Sequence, residues 1–330
     1  MRILVTGATG FIGSHLVENL LNENKYEVIA LVRNPKKAKE LEKKGVEIRV
    51  GDITDKKSLK GVTKNVDVVI HLAAHMRFHT KWEKLFSTNV AGTLDLAKDA
   101  IENNVSHFIY ASSTEAIGPV KTVPADETHP YNPAYQYGIS KMMAEKILNK
   151  LKDEKGLPVT ILRPTGVYGP GDLYVTLSTV RGVKNGKLNR LPGKGDKYVH
   201  FTYVDDVVQG FIKALENPKK AIGETFIIAS DDYYTYKDTF TIIAELLGVD
   251  PPQKSIPVLI AYIGIWFMEM ANKLRRIDDF VIHASVVKDM TKNRAYSNKK
   301  AKEILGFQPK YTFRDGMKIT IGWYVENKLI

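Results

Sequence analysis

Cysteine is absent from all 330 residues. That excludes disulfides, thiolate metal sites and cysteine nucleophiles. The eight histidines form no H-E-x-x-H pair, and no metal site is expected. Low-complexity tracts, internal repeats and long linkers are missing too. The apolar run from Ile256 to Met268 spans 13 residues before Glu269, short of the ~20 that cross a bilayer as a helix. No stripe of arginines interleaved with aromatics appears, so nucleic acid is not the expected partner. A strand-like run begins at Arg2, leaving no stretch for a signal or transit peptide, and a cytoplasmic protein is expected.

What is present describes an ordinary globular chain, 44% apolar and 26% charged, long enough to bury a sizeable core. The net charge of +11 reflects scattered lysines, some in pairs such as Lys36-Lys37 and Lys299-Lys300. Such pairs mark solvated helix faces, and the field they create favours anionic ligands.

The most informative stretch is Val5-Thr6-Gly7-Ala8-Thr9-Gly10-Phe11-Ile12-Gly13. It follows the strand-type run Arg2 to Val5 and precedes Leu16, Val17, Leu20 and Leu21 at helical spacing. A strand-to-helix turn this tight needs residues without a Cβ, and a diphosphate can approach only bare backbone. Helix N-terminal N–H groups would then face the phosphates. Strand patterns recur at Tyr26 to Val32, Val46 to Val50, Val66 to Ile70, His107 to Ala111 and Val159 to Leu162. Helical patterns lie between them, including Lys36 to Lys44 and Phe86 to Asn103. The alternation predicts an α/β fold, a Rossmann-type doubly wound parallel sheet. Its dinucleotide-binding domain would cover 1–170 and a smaller α/β substrate-binding part 171–330, with some interleaving. Leu72, Ala73 and Ala74 end the fourth strand, where small residues let a cofactor lie against the backbone. His71 is read as structural. The second strand ends at Arg33, with no carboxylate until Glu40. An acidic residue there selects NAD, whereas an arginine can pair with a 2′-phosphate, so NADP is favoured over NAD.

Tyr137 and Lys141 stand four apart at the start of a helix that runs to about Lys152 and share one face. A phenol with a pKa near ~10 is a poor base at neutral pH. A neighbouring ammonium and a cationic nicotinamide would lower that value, letting Tyr137 exchange a proton with a substrate hydroxyl or ketone. Tyr-x-x-x-Lys also occurs at Tyr233/Lys237, Tyr296/Lys300 and Tyr324/Lys328. Only Tyr137/Lys141 follows a serine-rich strand end, Ser112-Ser113, on a helix after the fifth strand.

T-G-x-x-G-x-x-G in this setting resembles the short-chain dehydrogenase/reductase superfamily, and TGATGFIGSH resembles its extended branch, the NAD-dependent epimerase/dehydratase family. The resemblance implies that Gly7, Thr9, Gly10, Phe11, Ile12 and Gly13 hold the cofactor. It assigns adenine contacts to Asp52 and Ile53, and to Asn89, within Asn89-Val90-Ala91-Gly92-Thr93, the holding of the active-site strands beside the cofactor. Counting back from Gly118 selects Ser113 as catalytic, with Ser112 beside the cofactor as the fallback. Tyr137 and Lys141 complete the catalytic set and also touch the cofactor. Pro164 and Val167, in the L-R-P-x-x-V-Y-G-P-G run, would lie beside the nicotinamide. Glu115 is expected to be structural, because sugar dehydratases carry an Asp-Glu pair where this chain has Thr114-Glu115.

The resemblance divides over substrate. Nucleotide-sugar epimerases place an arginine five residues before a V-D-D segment, and this chain has Val199 there. Their second diphosphate arginine has no clear match, although Arg294 is nearby. His75-Met76-Arg77-Phe78 through Lys81-Trp82, Arg33 and the apolar run from Ile256 resemble instead the dihydroflavonol-reductase and 3β-hydroxysteroid-dehydrogenase branch. The leading expectation is therefore an NAD(P)-dependent oxidoreductase acting at a secondary alcohol or ketone that is small or lipophilic. The alternatives are a UDP-sugar 4-epimerase retaining NAD, and a dinucleotide-binding sensor without catalysis. The resemblance also implies a homodimer through the helices at 86–103 and 134–152. The run from Ile256 would wall a lipophilic substrate, touch a membrane surface, or simply be a buried helix.

Overall fold

The computed structural model describes residues 1–77, 80–274 and 284–330. Phe78 lies outside them. Strand β1 (Arg2–Thr6) divides the first part of the molecule in two, because successive side chains on a strand point to opposite faces. Ile3 and Val5 enter one core, while Leu4 enters another with Val69, Phe108 and Tyr110. Six more strands complete the sheet: β2 (Glu27–Val32), β3 (Glu47–Val50), β4 (Val68–His71), β5 (His107–Ala111), β6 (Val159–Pro164) and β7 (Thr225–Ile228). Their order is β7-β6-β5-β4-β1-β2-β3, and every pair is parallel. This is the doubly wound sheet expected from the alternation, extended by one strand.

Helices cover both faces because a parallel strand needs a crossover to its neighbour. On one side α1 (Phe11–Asn22) contributes Leu16, Val17 and Leu20 to the core. On the other, α2 (Gly92–Glu102) and α3 (Gln136–Lys155) contribute Leu96, Ala97, Ala144 and Leu148. The chain steps outward from β1 to β3 and then returns to β4 on the far side of β1. That reversal opens a crevice at the strands' carboxyl ends, where such sheets bind ligands.

Two elements differ from the sequence pattern. The helix read over 86–103 begins at Trp82, and Phe86–Ala91 is wound as a wide π segment before α2. Such segments cluster at functional positions, and this one carries Asn89. Immediately after it, a Cβ on Gly92 would collide with the carbonyl oxygen of Ile53. The second difference is β7, which comes from well beyond residue 170. It arrives through α5 (Val204–Glu216), whose Val207, Val208 and Phe211 join the α1 core. Residues 204–228 thus belong physically to the first body.

The remaining part packs α6 (Tyr236–Leu247) and α8 (Phe313–Glu326) with α4 (Val175–Lys184) around Tyr168, Tyr203, Phe313 and Tyr324. Gly316 permits the closest approach, since a Cβ there would strike the Tyr168 hydroxyl. Above the crevice lies α7 (Val258–Leu274), preceded by a short strand, Lys254–Ile256, that pairs with Arg190–Pro192.

Candidate active site

A cavity of about 1380 Å³ lies over the carboxyl ends of β1, β4, β5 and β6. Its floor at β1 is the glycine turn. Gly7 has φ +72°, and a Cβ there would stand 2.9 Å from the Ala73 nitrogen. A Cβ on Gly13 would collide with the Gly7 carbonyl, so α1 can seat against the turn only with glycine at 13. Gly10 is the N-cap of α1 and offers no side chain to the first helical N–H groups. Gly7, Thr9, Gly10, Phe11, Ile12 and Gly13 all line the cavity. A bare turn feeding an uncapped helix N-terminus fits a dinucleotide diphosphate.

Leu72, Ala73, Ala74, Pro164 and Val167 line the same cavity. The Thr6 hydroxyl ties the ends of β1 and β4, 2.7 Å from His71 Nδ1 and accepting from the Ala73 N–H at 3.0 Å. His71 Nε2 lies 3.0 Å from the Thr93 hydroxyl. Burial, with a smaller contribution from Lys141, pushes the His71 pKa down to about 3, so the ring is neutral and structural. His71 and His75 do stand four apart, a spacing that makes a metal pair on a helix. Here the segment is extended, and His75 turns to the Thr80 hydroxyl at 3.2 Å instead. Among the described residues no three His, Asp or Glu side chains converge on a metal position.

At the adenosine end, Arg33 is exposed and lines the cavity together with Gly51 and Ile53. Asp52, expected to contact the adenine, turns elsewhere. Asp52 does not line the cavity: its Oδ1 accepts from Thr54 N at 2.9 Å and from Thr54 Oγ1 at 2.8 Å. Partial burial opposes ionisation, but those hydrogen bonds and the Arg33 charge hold its pKa below the usual carboxylate range. Asn89 is 1% exposed and clamps the chain from behind. Its Oδ1 accepts from His75 N at 2.7 Å, and its Nδ2 donates to His75 O at 3.1 Å and Ser140 Oγ at 2.9 Å. The asparagine thus joins the β4 loop to α3, the helix that carries Tyr137 and Lys141.

Ser113, Tyr137 and Lys141 meet at the cavity wall. Ser113 caps a single helical turn, Thr114–Ala116, accepting from Glu115 N at 3.1 Å. Gly138 lets α3 approach that turn, since a Cβ would strike the Glu115 carbonyl. Tyr137 is 8% exposed and Lys141 2%. Lys141 Nζ donates to Ala111 O at 2.6 Å and lies 4.8 Å from the Tyr110 ring centre and 5.9 Å from that of Tyr137. Burial drives the Lys141 pKa down to about 7, against the attraction of Glu145. Burial, then the charge of Glu115, push the Tyr137 phenol well above its ordinary range, against a hydrogen bond with Ser113. The phenol needs further positive charge to ionise.

The two serines are told apart by their partners. Ser112 donates to Glu145, a fully buried carboxylate that also accepts from Arg163 Nη2 at 2.6 Å and Tyr131 OH at 2.8 Å. This network occupies Ser112 and leaves Ser113 as the serine beside Tyr137. Glu145 stands four residues after Lys141 on α3, a spacing that could have been noticed. Its partner Arg163 lies in the L-R-P run. Glu115 is held 3.0 Å from Arg294 Nη1, and Arg294 Nη2 reaches Asp289 at 2.7 Å. Burial raises the Asp289 pKa to about 6 despite Arg294. Arg294 therefore faces the cavity already neutralised by two carboxylates.

A parallel doubly wound sheet, a phosphate cradle and a buried Ser-Tyr-Lys cluster at the switch point define a dinucleotide-dependent enzyme. The profile of the NAD dependent epimerase/dehydratase family matches residues 3–229, and the chain belongs to that family. It is 30% identical to 3beta-hydroxysteroid-dehydrogenase/decarboxylase isoform 1 of Arabidopsis thaliana, over 96% of this chain and 78% of that one. It is 31% identical to the UDP-glucose 4-epimerase of Vibrio cholerae, over 96% and 94%. Among solved structures it superposes on the dTDP-glucose 4,6-dehydratase DesIV of Streptomyces venezuelae, which has NAD bound. That match has a TM-score of 0.80 and 25% identity, over 99% of this chain and 98% of the other. The chain is thus an enzyme of the extended short-chain dehydrogenase/reductase class, with a hydroxysteroid dehydrogenase and a nucleotide-sugar epimerase among its relatives.

Proposed function

We propose that the protein interconverts a lipophilic secondary alcohol and its ketone, using a nicotinamide dinucleotide that it exchanges each cycle, with NADP preferred. The observation carrying this reading is the composition of the cavity beyond Tyr137. Ile256, Ile260, Ala261, Ile265, Met268 and Phe240 wall it. Val199, where the sugar epimerases place an arginine, also lines it, and Arg294 is neutralised. Lys187 and Arg190 also line the cavity but are exposed, so a diphosphate buried beside Val199 and Arg294 would lack an unneutralised partner there and be costly. A steroid-sized apolar body would be stabilised by the same walls.

The bound cofactor supplies hydride acceptance and, when oxidised, a positive charge near Tyr137. Tyr137 then takes the proton of the substrate hydroxyl, or returns it during reduction. Ser113 holds the same oxygen and also favours the phenolate. Lys141 adds charge when protonated, and Glu145 with Arg163 and Tyr131 fixes Ser112 and α3 beneath it. Arg33 pairs with a 2′-phosphate, so Arg33→Ala loses roughly ten- to hundredfold in NADPH affinity with little change for NADH. The outer faces of α2 and α3 form a homodimer, a reading taken from the family resemblance and checked by the mass in solution.

Denaturing freshly purified protein and weighing any released dinucleotide tests the exchange. Little retained cofactor, with NADPH bound more tightly than NADH, is expected. Stoichiometric retained NAD would favour the epimerase, which restores its cofactor every cycle.

A further inference from the structure

Helix α7 is apolar on nearly every side. Ala261, Gly264, Ile265 and Met268 face the cavity. On the opposite face Leu259, Ile263, Trp266, Phe267 and Met270 follow one another at helical spacing, each between 42% and 68% exposed. A helix that is hydrophobic all round is normally buried on both sides, yet this outer stripe faces solvent. Contiguous exposed patches of this kind mark interaction surfaces. Among the described residues no helix, α7 included, is long and apolar enough to cross a bilayer.

We propose that α7 docks the enzyme on an anionic lipid membrane, lying in the interface with its outer stripe among the acyl chains, and that its inner face admits a lipophilic substrate directly from the bilayer. Two observations favour a lipid surface over a second copy of this chain. The first is charge. Lys254 pairs in register with Arg190 beside the N-terminus of α7, and both are exposed. Lys187 and Arg190 stand at the cavity rim, and Lys288 Nζ lies 4.9 Å from the Tyr262 ring on the flank of α7. The one carboxylate on the helix is Glu269. This basic fringe matches acidic headgroups, whereas two copies meeting through α7 would bring like charges together. The second is continuity: the helix that presents the outer stripe is also the cavity wall, with Ile260 belonging to both. Trp266 and Phe267 suit the headgroup boundary, where aromatic side chains settle. Only the substrate route rests on the proposed lipophilic substrate; the docking does not.

The test is sedimentation with vesicles of phosphatidylcholine containing about one-third phosphatidylserine, with NADPH binding as the control for folding. The protein is expected to sediment with these vesicles, less with pure phosphatidylcholine and less at high salt. Leu259→Ser with Phe267→Ser, which touch the outer face only, is expected to weaken vesicle binding by at least about tenfold and leave NADPH affinity unchanged. No sedimentation with either vesicle would overturn the proposal. So would a concentration-dependent dimer that the double variant dissociates and that does not bind vesicles, because the stripe then belongs to a second copy. If vesicle binding fails while a detergent-dispersed hydroxysteroid is still oxidised, the docking falls and the lipophilic substrate stands.

Discussion

Tyr137 is held in an environment that resists its ionisation, and this makes the chemistry conditional on what is bound. Tyr137→Phe keeps the ring and the packing while removing the exchangeable proton. It is expected to lower kcat by about 10²–10⁴-fold with cofactor affinity retained; full activity would remove Tyr137 from the proposed role. Lys141 carries a measurable cost of its own. Its folded pKa of about 7 lies below the unfolded value of about 10.5, so between those values the unfolded chain binds the extra proton and stability rises with pH. Lys141→Met removes that dependence. Its stability relative to the parent should be greatest at pH 7 and below and fall by roughly 3–5 kcal/mol toward pH 10, as measured by denaturant titration. That Ser113, Tyr137 and Lys141 would share one cavity wall was legible from their spacing after the fifth strand. The Glu115–Arg294 pair was not, since its members lie 179 residues apart and a lone arginine in sequence shows no partner. Asp52 was misplaced for a related reason. It adjoins Gly51 and Ile53 at the cavity, but hydrogen bonds to Thr54 turn its side chain away.

Among the elements, the glycine turn and α1 were the clearest, because a Cβ at 13 has nowhere to go. Gly13→Ala forces α1 off the turn by backbone collision. It should destabilise the protein by about 1–3 kcal/mol and abolish tight dinucleotide binding, read by thermal unfolding with and without NADPH. An unchanged affinity would show that the cradle lies elsewhere. Six strands were readable from their apolar runs and punctuating turns. The seventh was not, because Thr225–Ile228 lies about 60 residues beyond β6 and only the tertiary fold shows that the two pair. The π segment at Phe86–Ala91 was equally hidden: its apolar pattern is that of an ordinary helix, and the close approach of Gly92 to Ile53 that accompanies it is a tertiary contact.

The whole molecule keeps three buried histidines neutral, which links its stability to acid. Burial takes His71 down to about 3, and His107 and His200 to about 4, the last against hydrogen bonding to Ser230. Below the unfolded value of ~6.5, the unfolded chain takes up protons that the native protein refuses. Stability should fall as pH drops from about 6.5 toward 4, and His107→Gln should make that fall shallower. A slope unaffected by the substitution would assign acid sensitivity to other groups. At this scale the molecule is a glycine-lined cradle and a Ser-Tyr-Lys cluster under an apolar roof, and the proposed substrate turns on that roof. The most direct test incubates the purified enzyme with NADP or NAD and, separately, a 3β-hydroxysteroid or UDP-glucose, following reduced cofactor and product together. Net accumulation of NADPH with the steroid ketone, and no conversion of UDP-glucose, is the predicted result. Conversion of UDP-glucose to its 4-epimer with no net cofactor reduction would contradict the account.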